Sequence, residues 1–203
     1  MLPKLTFWFE FASTYSALSA ARIKALATKS GVDIVWRPFL LGPIFKSQGW
    51  DTSPFKIYAA KGRYMWRDLE RRSLALGLPP IRRPTEFPQN GLLAACLALL
   101  GLRDGWGELF ILAVYRRQFG DGLPIAQPED LASILADLGL EPSLCFESIK
   151  TNQQIKDELR QNTEDAQSLG IFGAPSFTTD DNELFWGDDR LEAALDWAVA
   201  HPA

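Results

Sequence analysis

Four polar residues, Ser13-Thr14-Tyr15-Ser16, stand between an apolar run that predicts a β-strand over 5–11 and a segment that predicts a helix over 16–29. The tetrad therefore lies at a strand-to-helix corner, where the amides of a helix N-terminus favour a negative charge. A serine hydroxyl cannot form a disulfide, but it can donate a hydrogen bond to the thiolate of a bound molecule. The corner indicates a thiol cofactor with Ser13 as the donor. The alternative is that Ser13 only caps the helix.

The predicted elements follow the order βαβ, a long helical stretch and then ββα. A second strand over 34–39 runs parallel to the first, and strand patterns return only at 175–179 and 183–186, before a last helix that starts at Gly187. Helices are expected between them over 53–77, 90–102, 106–119, 128–138, 143–149 and 152–169. This order is that of an α/β, thioredoxin-like chain. We expect a thioredoxin-like domain over 1–42 and 168–203, and an inserted helical domain over 43–167 above the active-site face.

Composition argues against several classes of function. The net charge of −4 argues against nucleic-acid binding, and no apolar stretch approaches the roughly 18 residues of a membrane span. Cys96 and Cys145 are far apart and read as core residues, so a reducing cytoplasm is the expected compartment. The single histidine, His201, is close to the C-terminus. A Ser-His-Asp or Cys-His site and a histidine zinc site are therefore not expected, and no metal is predicted.

Five sequence blocks resemble one known family, in the same order along the chain. They are FEFASTYS at 9–16, RPFLLGPIFK at 37–46, KGRYMWRD at 61–68, GAPSF at 173–177 and FWGDDRL at 185–191. Together they resemble the 2-hydroxychromene-2-carboxylate isomerases and the related kappa-class glutathione transferases. The isomerase branch is the more similar, chiefly through 64–69 and 185–187.

The resemblance implies a DsbA-like thioredoxin fold, a homodimer and glutathione as the cofactor. It also implies a small aromatic carboxylate substrate, interconverted between 2-hydroxychromene-2-carboxylate and trans-o-hydroxybenzylidenepyruvate or a related aromatic enone-pyruvate. The alternative is a kappa-like transferase or peroxidase, which consumes glutathione. A second alternative is a non-catalytic binding protein on a thioredoxin fold.

By the same resemblance, Ser13 contacts the glutathione sulfur. Ala174 binds the peptide part of glutathione through its backbone, beside Pro175, whose peptide bond is expected to be cis. Lys61 meets the glycyl carboxylate. Ser13 matches the catalytic serine of the family, although Thr14 replaces the family's common proline.

The last helix start, Gly187-Asp188-Asp189, is expected to bind the γ-glutamyl end, with Asp189 as the better partner of its ammonium group. The alternative is that both aspartates only cap the helix. On the substrate side we expect Lys46, Trp50 and Asn162. Trp50 stands where the family often has an asparagine, which favours flat aromatic substrates.

Overall fold

The fold is described by a computed structural model that covers residues 2–202. Its four-stranded sheet has the order β2-β1-β3-β4, with β1 over Lys4–Phe9, β2 over Asp33–Pro38, β3 over Ser176–Thr179 and β4 over Leu184–Trp186. Strands β1 and β2 are parallel, whereas β1–β3 and β3–β4 are antiparallel. The predicted thioredoxin-like α/β arrangement is confirmed.

Helix α1 (Thr14–Ser30) connects the two parallel strands, and α10 (Leu191–Ala200) follows β4 after a short 3₁₀ turn. These two helices pack against each other and against the sheet. All the secondary-structure elements between β2 and β3 are helical. The α-helices among them are α2 (Leu41–Ser47), α3 (Pro54–Ile57), α4 (Ala59–Ala75), α5 (Leu92–Asp104), α6 (Gly107–Tyr115), α7 (Pro128–Asp137), α8 (Pro142–Thr151) and α9 (Gln153–Ser168).

One apolar core joins the sheet to the inserted helices. In β1, Phe7 stacks on Phe177 with ring centroids 5.4 Å apart, and Phe7 and Phe9 share a cluster with Phe110 and Val114 of α6. Each buried aromatic ring removes about 150–250 Å² from water, so this cluster holds the insertion firmly on the sheet.

Both cysteines are buried and unpaired, as expected of core residues. Within residues 2–202, no helix is long and apolar enough to cross a membrane. The same residues include no group of three or more histidine, cysteine or acidic side chains placed to hold a metal ion.

The helix expected over 53–77 is two helices, because the chain takes an extended conformation at Tyr58 (φ −103°, ψ 95°). The break lets α3 fold back onto α4 so closely that a Cβ at Gly62 would lie 2.3 Å from the Phe55 carbonyl oxygen. Helix α2 was not expected, because Gly42 and Pro43 suggest a loop. Proline is nevertheless tolerated in a first helical turn, where its missing N–H has no partner.

Candidate active site

Ser13 is the N-cap of α1 and lies at the corner expected from the sequence. Its backbone is extended (φ −78°, ψ 114°), and its Oγ accepts a hydrogen bond from the Ser16 amide at 3.2 Å. The same hydroxyl donates to the Ala174 carbonyl oxygen at 2.8 Å. Capping and a second polar contact are thus compatible. The hydroxyl joins the start of α1 to the loop that precedes β3.

The loop before β3 forms the opposite side of this corner. The Ala174–Pro175 bond is cis, as predicted. The Pro175 carbonyl accepts a hydrogen bond from the Gly187 amide at 3.0 Å, whereas the Ala174 amide donates to no group in residues 2–202. A free amide beside an extended segment is suited to bind a peptide-like ligand. Gly173 makes the loop compact, since a Cβ there would lie 2.5 Å from Nε1 of Trp186.

A cavity of about 720 Å³ opens at the corner. Its volume lies in the range of small-molecule sites, roughly 300–1,000 Å³. Ser13 and Ala174 line the cavity, as do Lys61 of α4 and Trp50 of the loop between α2 and α3. Lys61 is exposed and its Nζ lies 5.0 Å from the ring centroid of Tyr58. The structure therefore brings together four of the residues singled out by the sequence.

Seven of the residues that line the cavity are aromatic. They are Tyr15, Phe45, Trp50, Phe55, Phe87, Phe172 and Trp186. Phe45 and Trp50 pack together at 5.9 Å between centroids, and Phe172 and Trp186 pair at the rim at 4.8 Å. Sequence analysis missed the Phe172–Trp186 pair, although Phe172 lies directly beside the Gly-Ala-Pro motif. Such walls suit an apolar or aromatic ligand.

A hydrogen bond joins α1, which Ser13 caps, to α4, which carries Lys61. Tyr15 of α1 donates a hydrogen bond to Asp68 of α4 at 2.9 Å. Burial and the neighbouring Asp68 carboxylate raise the pKa of the Tyr15 hydroxyl, so the phenol stays protonated and keeps donating. This contact fixes the separation of the two sides of the site.

Glu10 is a buried acid on the cavity wall that sequence analysis did not single out. Burial raises the pKa of its carboxyl from 4.5 to about 8, although the amides of Ala12 and Ser13 act in the opposite direction. Gly91 packs over the carboxyl, since a Cβ there would lie 3.2 Å from Glu10 Oε1. The available signal was an acid inside the apolar run LTFWFEF.

Asp188 is buried in an ion-pair cluster and does not line the cavity. Its Oδ1 accepts from Ser19 at 3.0 Å and pairs with Arg22 at 3.2 Å, while its Oδ2 accepts from Arg72 Nε at 3.0 Å. Glu192 also pairs with Arg22. The carboxylate expected to serve a ligand is thus saturated by side chains of α1 and α4.

The neighbouring residues are placed differently. Gly187 has a positive φ of 112°, and its amide is already bound to Pro175. Asp189 is exposed, pairs with Arg190 at 3.1 Å, and lies over Gly187, since a Cβ there would be 2.6 Å from Asp189 Oδ1. Gly187 directly follows Trp186, which lines the cavity, whereas neither Gly187 nor Asp189 lines it.

Two expected substrate residues lie outside the cavity lining. Lys46 is exposed on α2. Asn162 is buried on α9, where its Oδ1 accepts from Arg37 Nε at 2.8 Å and its Nδ2 donates to the Pro38 carbonyl at 3.0 Å. Both hydrogen bonds fasten α9 to the end of β2, which is a structural role. The sequence correctly predicted a helix around Asn162, but it did not indicate which side of that helix the residue occupies.

Comparison with known proteins gives a consistent result. The DSBA-like thioredoxin domain family matches residues 4–196. A 2-hydroxychromene-2-carboxylate isomerase from Sphingobium xenophagum is 29% identical over 193 residues, covering 95% of this chain and 96% of that protein. Glutathione s-transferase kappa 2 of Caenorhabditis elegans is 26% identical, covering 97% of this chain and 91% of that protein.

A solved structure of a 2-hydroxychromene-2-carboxylate isomerase supports the fold. It superposes with a TM-score of 0.77 at 21% identity and covers 97% of this chain and 94% of its own. The family match spans nearly every element described above, from β1 to α10. The chain therefore belongs to the DSBA-like thioredoxin domain family.

Proposed function

We propose that the protein is a glutathione-dependent isomerase of the 2-hydroxychromene-2-carboxylate type. The observation that carries the proposal is the Ser13 hydroxyl, which caps α1 and donates to the Ala174 carbonyl at the edge of a large, mostly apolar cavity. The protein is similar in sequence to 2-hydroxychromene-2-carboxylate isomerases and to kappa-class glutathione transferases, which supports a glutathione-related enzyme.

The residues around the corner fit a bound glutathione. Ser13 has a hydroxyl hydrogen that can rotate from the Ala174 carbonyl toward a sulfur, and the α1 N-terminus favours the thiolate form. The free Ala174 amide is available to the cysteinyl carbonyl, and Lys61 to the glycyl carboxylate. Asp189 is the candidate partner of the γ-glutamyl ammonium. Asp188 is not used, because two guanidinium groups already occupy it.

Bound glutathione would supply a thiolate that adds reversibly to the enone carbon of the substrate, so that rotation about the former double bond can follow. The protein contributes positioning: Ser13 and the start of α1 hold the sulfur, while the aromatic wall orients a flat substrate beside it. Trp50 and the Phe172–Trp186 pair are the surfaces on which a substrate ring would pack. A small aromatic carboxylate, a cytoplasmic location and a homodimer complete the proposal.

A second candidate is a kappa-like glutathione transferase or peroxidase, favoured by the similarity to kappa-class glutathione transferases. The two reactions differ in whether glutathione is consumed. An isomerase returns the cofactor after each turnover, whereas a transferase leaves a conjugate and a peroxidase leaves glutathione disulfide.

The test is turnover of trans-o-hydroxybenzylidenepyruvate with a catalytic amount of glutathione. We expect conversion of substrate in large excess over glutathione, with the free thiol fully recovered at the end. Accumulation of a conjugate or of disulfide in proportion to product would replace this proposal by the second candidate. Failure of glutathione to bind at millimolar concentration would favour the binding-protein alternative.

Light scattering checks the proposed homodimer, which should have twice the chain mass of 22.7 kDa.

A further inference from the structure

We propose that Glu10 is the acid–base group of this cavity, which donates a proton to the carbonyl oxygen of the substrate and takes it back within each turnover. This role rests on the isomerase function proposed above, and it adds a residue that the family resemblance did not supply. Three observations carry it: the place of Glu10 on the cavity wall, its burial, and the chemistry of its surroundings.

Glu10 lies three residues before Ser13, on the turn between β1 and α1. Its own carbonyl accepts hydrogen bonds from the Ser13 amide and the Tyr115 hydroxyl, both at 3.0 Å, so the backbone that carries the side chain is fixed. Gly91 closes over the carboxyl. Glu10 and Ser13 line the same cavity, so the proposal places the Glu10 carboxyl near the sulfur position of glutathione.

The groups that face Glu10 leave its carboxyl without an ion-pair partner in residues 2–202. The neighbouring elements present the Tyr115 hydroxyl from α6, the Ala12 and Ser13 amides, and the backbone at Gly91. The other charged residues of the cavity wall, Lys61 and Asp51, form no ion pair with it. Burial without a cation keeps the carboxyl largely protonated at neutral pH.

A protonated carboxyl is what thiolate addition to an enone requires. As the sulfur–carbon bond forms, the π-electron pair of the carbon–carbon double bond moves toward the carbonyl oxygen, and Glu10 supplies a proton to that oxygen. The carboxylate that remains takes the same proton back when the double bond reforms and the sulfur leaves. No atom or electron is gained or lost, and Glu10 ends the cycle protonated. His201 cannot serve, because it lies at the end of α10 stacked on Trp197.

The protonation state can be tested without glutathione. Infrared difference spectra of the wild-type protein minus Glu10→Gln should contain the carbonyl stretch of one buried, protonated carboxylic acid at pH 7. This band should give way to a carboxylate signal as the pH rises through about 8. A carboxylate signal already present at pH 6 would overturn the proposal. Because the protein carries no cofactor in this measurement, its outcome does not depend on the proposed isomerase reaction.

The catalytic role is tested by kinetics on the same variant. Glu10→Gln should lower kcat about 10²–10⁴-fold, the usual contribution of a positioned acid–base group, and leave glutathione affinity unchanged. The alkaline fall of the wild-type pH profile should disappear. Glu10→Asp keeps the acid and should retain more of the rate than Glu10→Gln. Glu86→Gln, at an exposed acid outside the cavity, controls for the loss of one charge.

Two results would overturn the acid–base role. One is wild-type kcat and an unchanged pH profile in Glu10→Gln. The other is an equal loss of rate in Glu10→Asp and Glu10→Gln, which would indicate a packing role. Failure of the proposed function looks different, because the wild-type protein itself would then not isomerise the substrate.

Discussion

Two buried acids lie just before helices, Glu10 before α1 and Asp188 before α10, and their carboxyl groups have different surroundings. At the start of α10, Asp188 pairs with Arg22 and Arg72. Before the start of α1, Glu10 pairs with no cation among residues 2–202, and burial raises the pKa of its carboxyl to about 8. We call the site of Asp188 the closed corner, because the protein's own side chains occupy its carboxylate. We call the site of Glu10 and Ser13 the open corner, because both residues line the cavity. The surroundings of the two acids thus depend on the side chains that other elements bring to them.

The closed corner is expected to be structural. Asp188→Asn leaves two guanidinium groups without their buried partner, so we expect a loss of about 3–5 kcal/mol in the free energy of unfolding. Urea denaturation measures it. Asp189→Asn is the matched control at the next position, where an exposed pair contributes at most about 1 kcal/mol. The affinities should show the reverse: Asp189→Asn weakens glutathione binding and Asp188→Asn does not. Equal stabilities of the two variants would remove the distinction between the corners.

The open corner is expected to be catalytic. Ser13→Ala and Ser13→Gly should both lower the isomerisation rate about 10²–10³-fold, as loss of a donor to an anion typically does. Glycine is nearly as good an N-cap as serine, so Ser13→Gly should cost only a few tenths of a kcal/mol of stability, against about 1 for alanine. Steady-state kinetics and denaturation of both variants separate the two roles. An activity loss that followed stability, with Ser13→Gly near wild type, would reduce Ser13 to a cap.

The neutral acid of the open corner should appear in the pH dependence of stability. The unfolded Glu10 carboxyl loses its proton near pH 4.5, and the folded one only near pH 8. Between these values the unfolded state binds fewer protons, so stability falls as the pH rises, by up to about 1.4 kcal/mol per pH unit, and then levels off. Glu10→Gln should remove this component. A slope that is the same in the variant would mean that Glu10 is ionised in the folded protein.

The smallest expected effect is the loss of glutathione affinity on removal of Lys61, a cation of the cavity wall. Lys61→Ala should weaken glutathione binding about tenfold, because it removes one charge-assisted hydrogen bond at an exposed position. The effect should shrink as the salt concentration rises. Lys56→Ala, at an exposed lysine of α3 outside the cavity lining, is the matched control for calorimetric titration. Equal affinities of the two variants would place the glycyl carboxylate elsewhere.

The sequence was sufficient for the elements that have local signals. The order of strands and helices and the Ser13 corner follow from residues in the predicted positions, whereas the cis Ala174–Pro175 bond was predicted from the family resemblance. What it could not provide depends on contacts between distant segments. The break at Tyr58 requires the approach of Phe55 to Gly62, which no local pattern encodes.

The surroundings of Asp188 and Glu10 likewise could not be predicted from the sequence. Asp188 is saturated because Arg22 and Arg72 come from α1 and α4, between 116 and 166 residues away in the chain. Burial raises the pKa of the Glu10 carboxyl, and no cation in the described part of the chain offsets that effect. Burial and ion pairing are properties of the assembled fold, so neither state could be assigned from the residues beside each acid.

The most direct test of the account is the ionisation of glutathione bound at the open corner. A free thiol has a pKa of roughly 8.5, and the Ser13 hydroxyl with the start of α1 should hold the bound thiol below that value. Titration of the ultraviolet thiolate absorbance, at saturating protein, measures it. We predict a lowered pKa in the wild-type protein, with much of the shift lost in Ser13→Gly. A bound thiol that titrates like free glutathione in the wild type would contradict the central role of this corner.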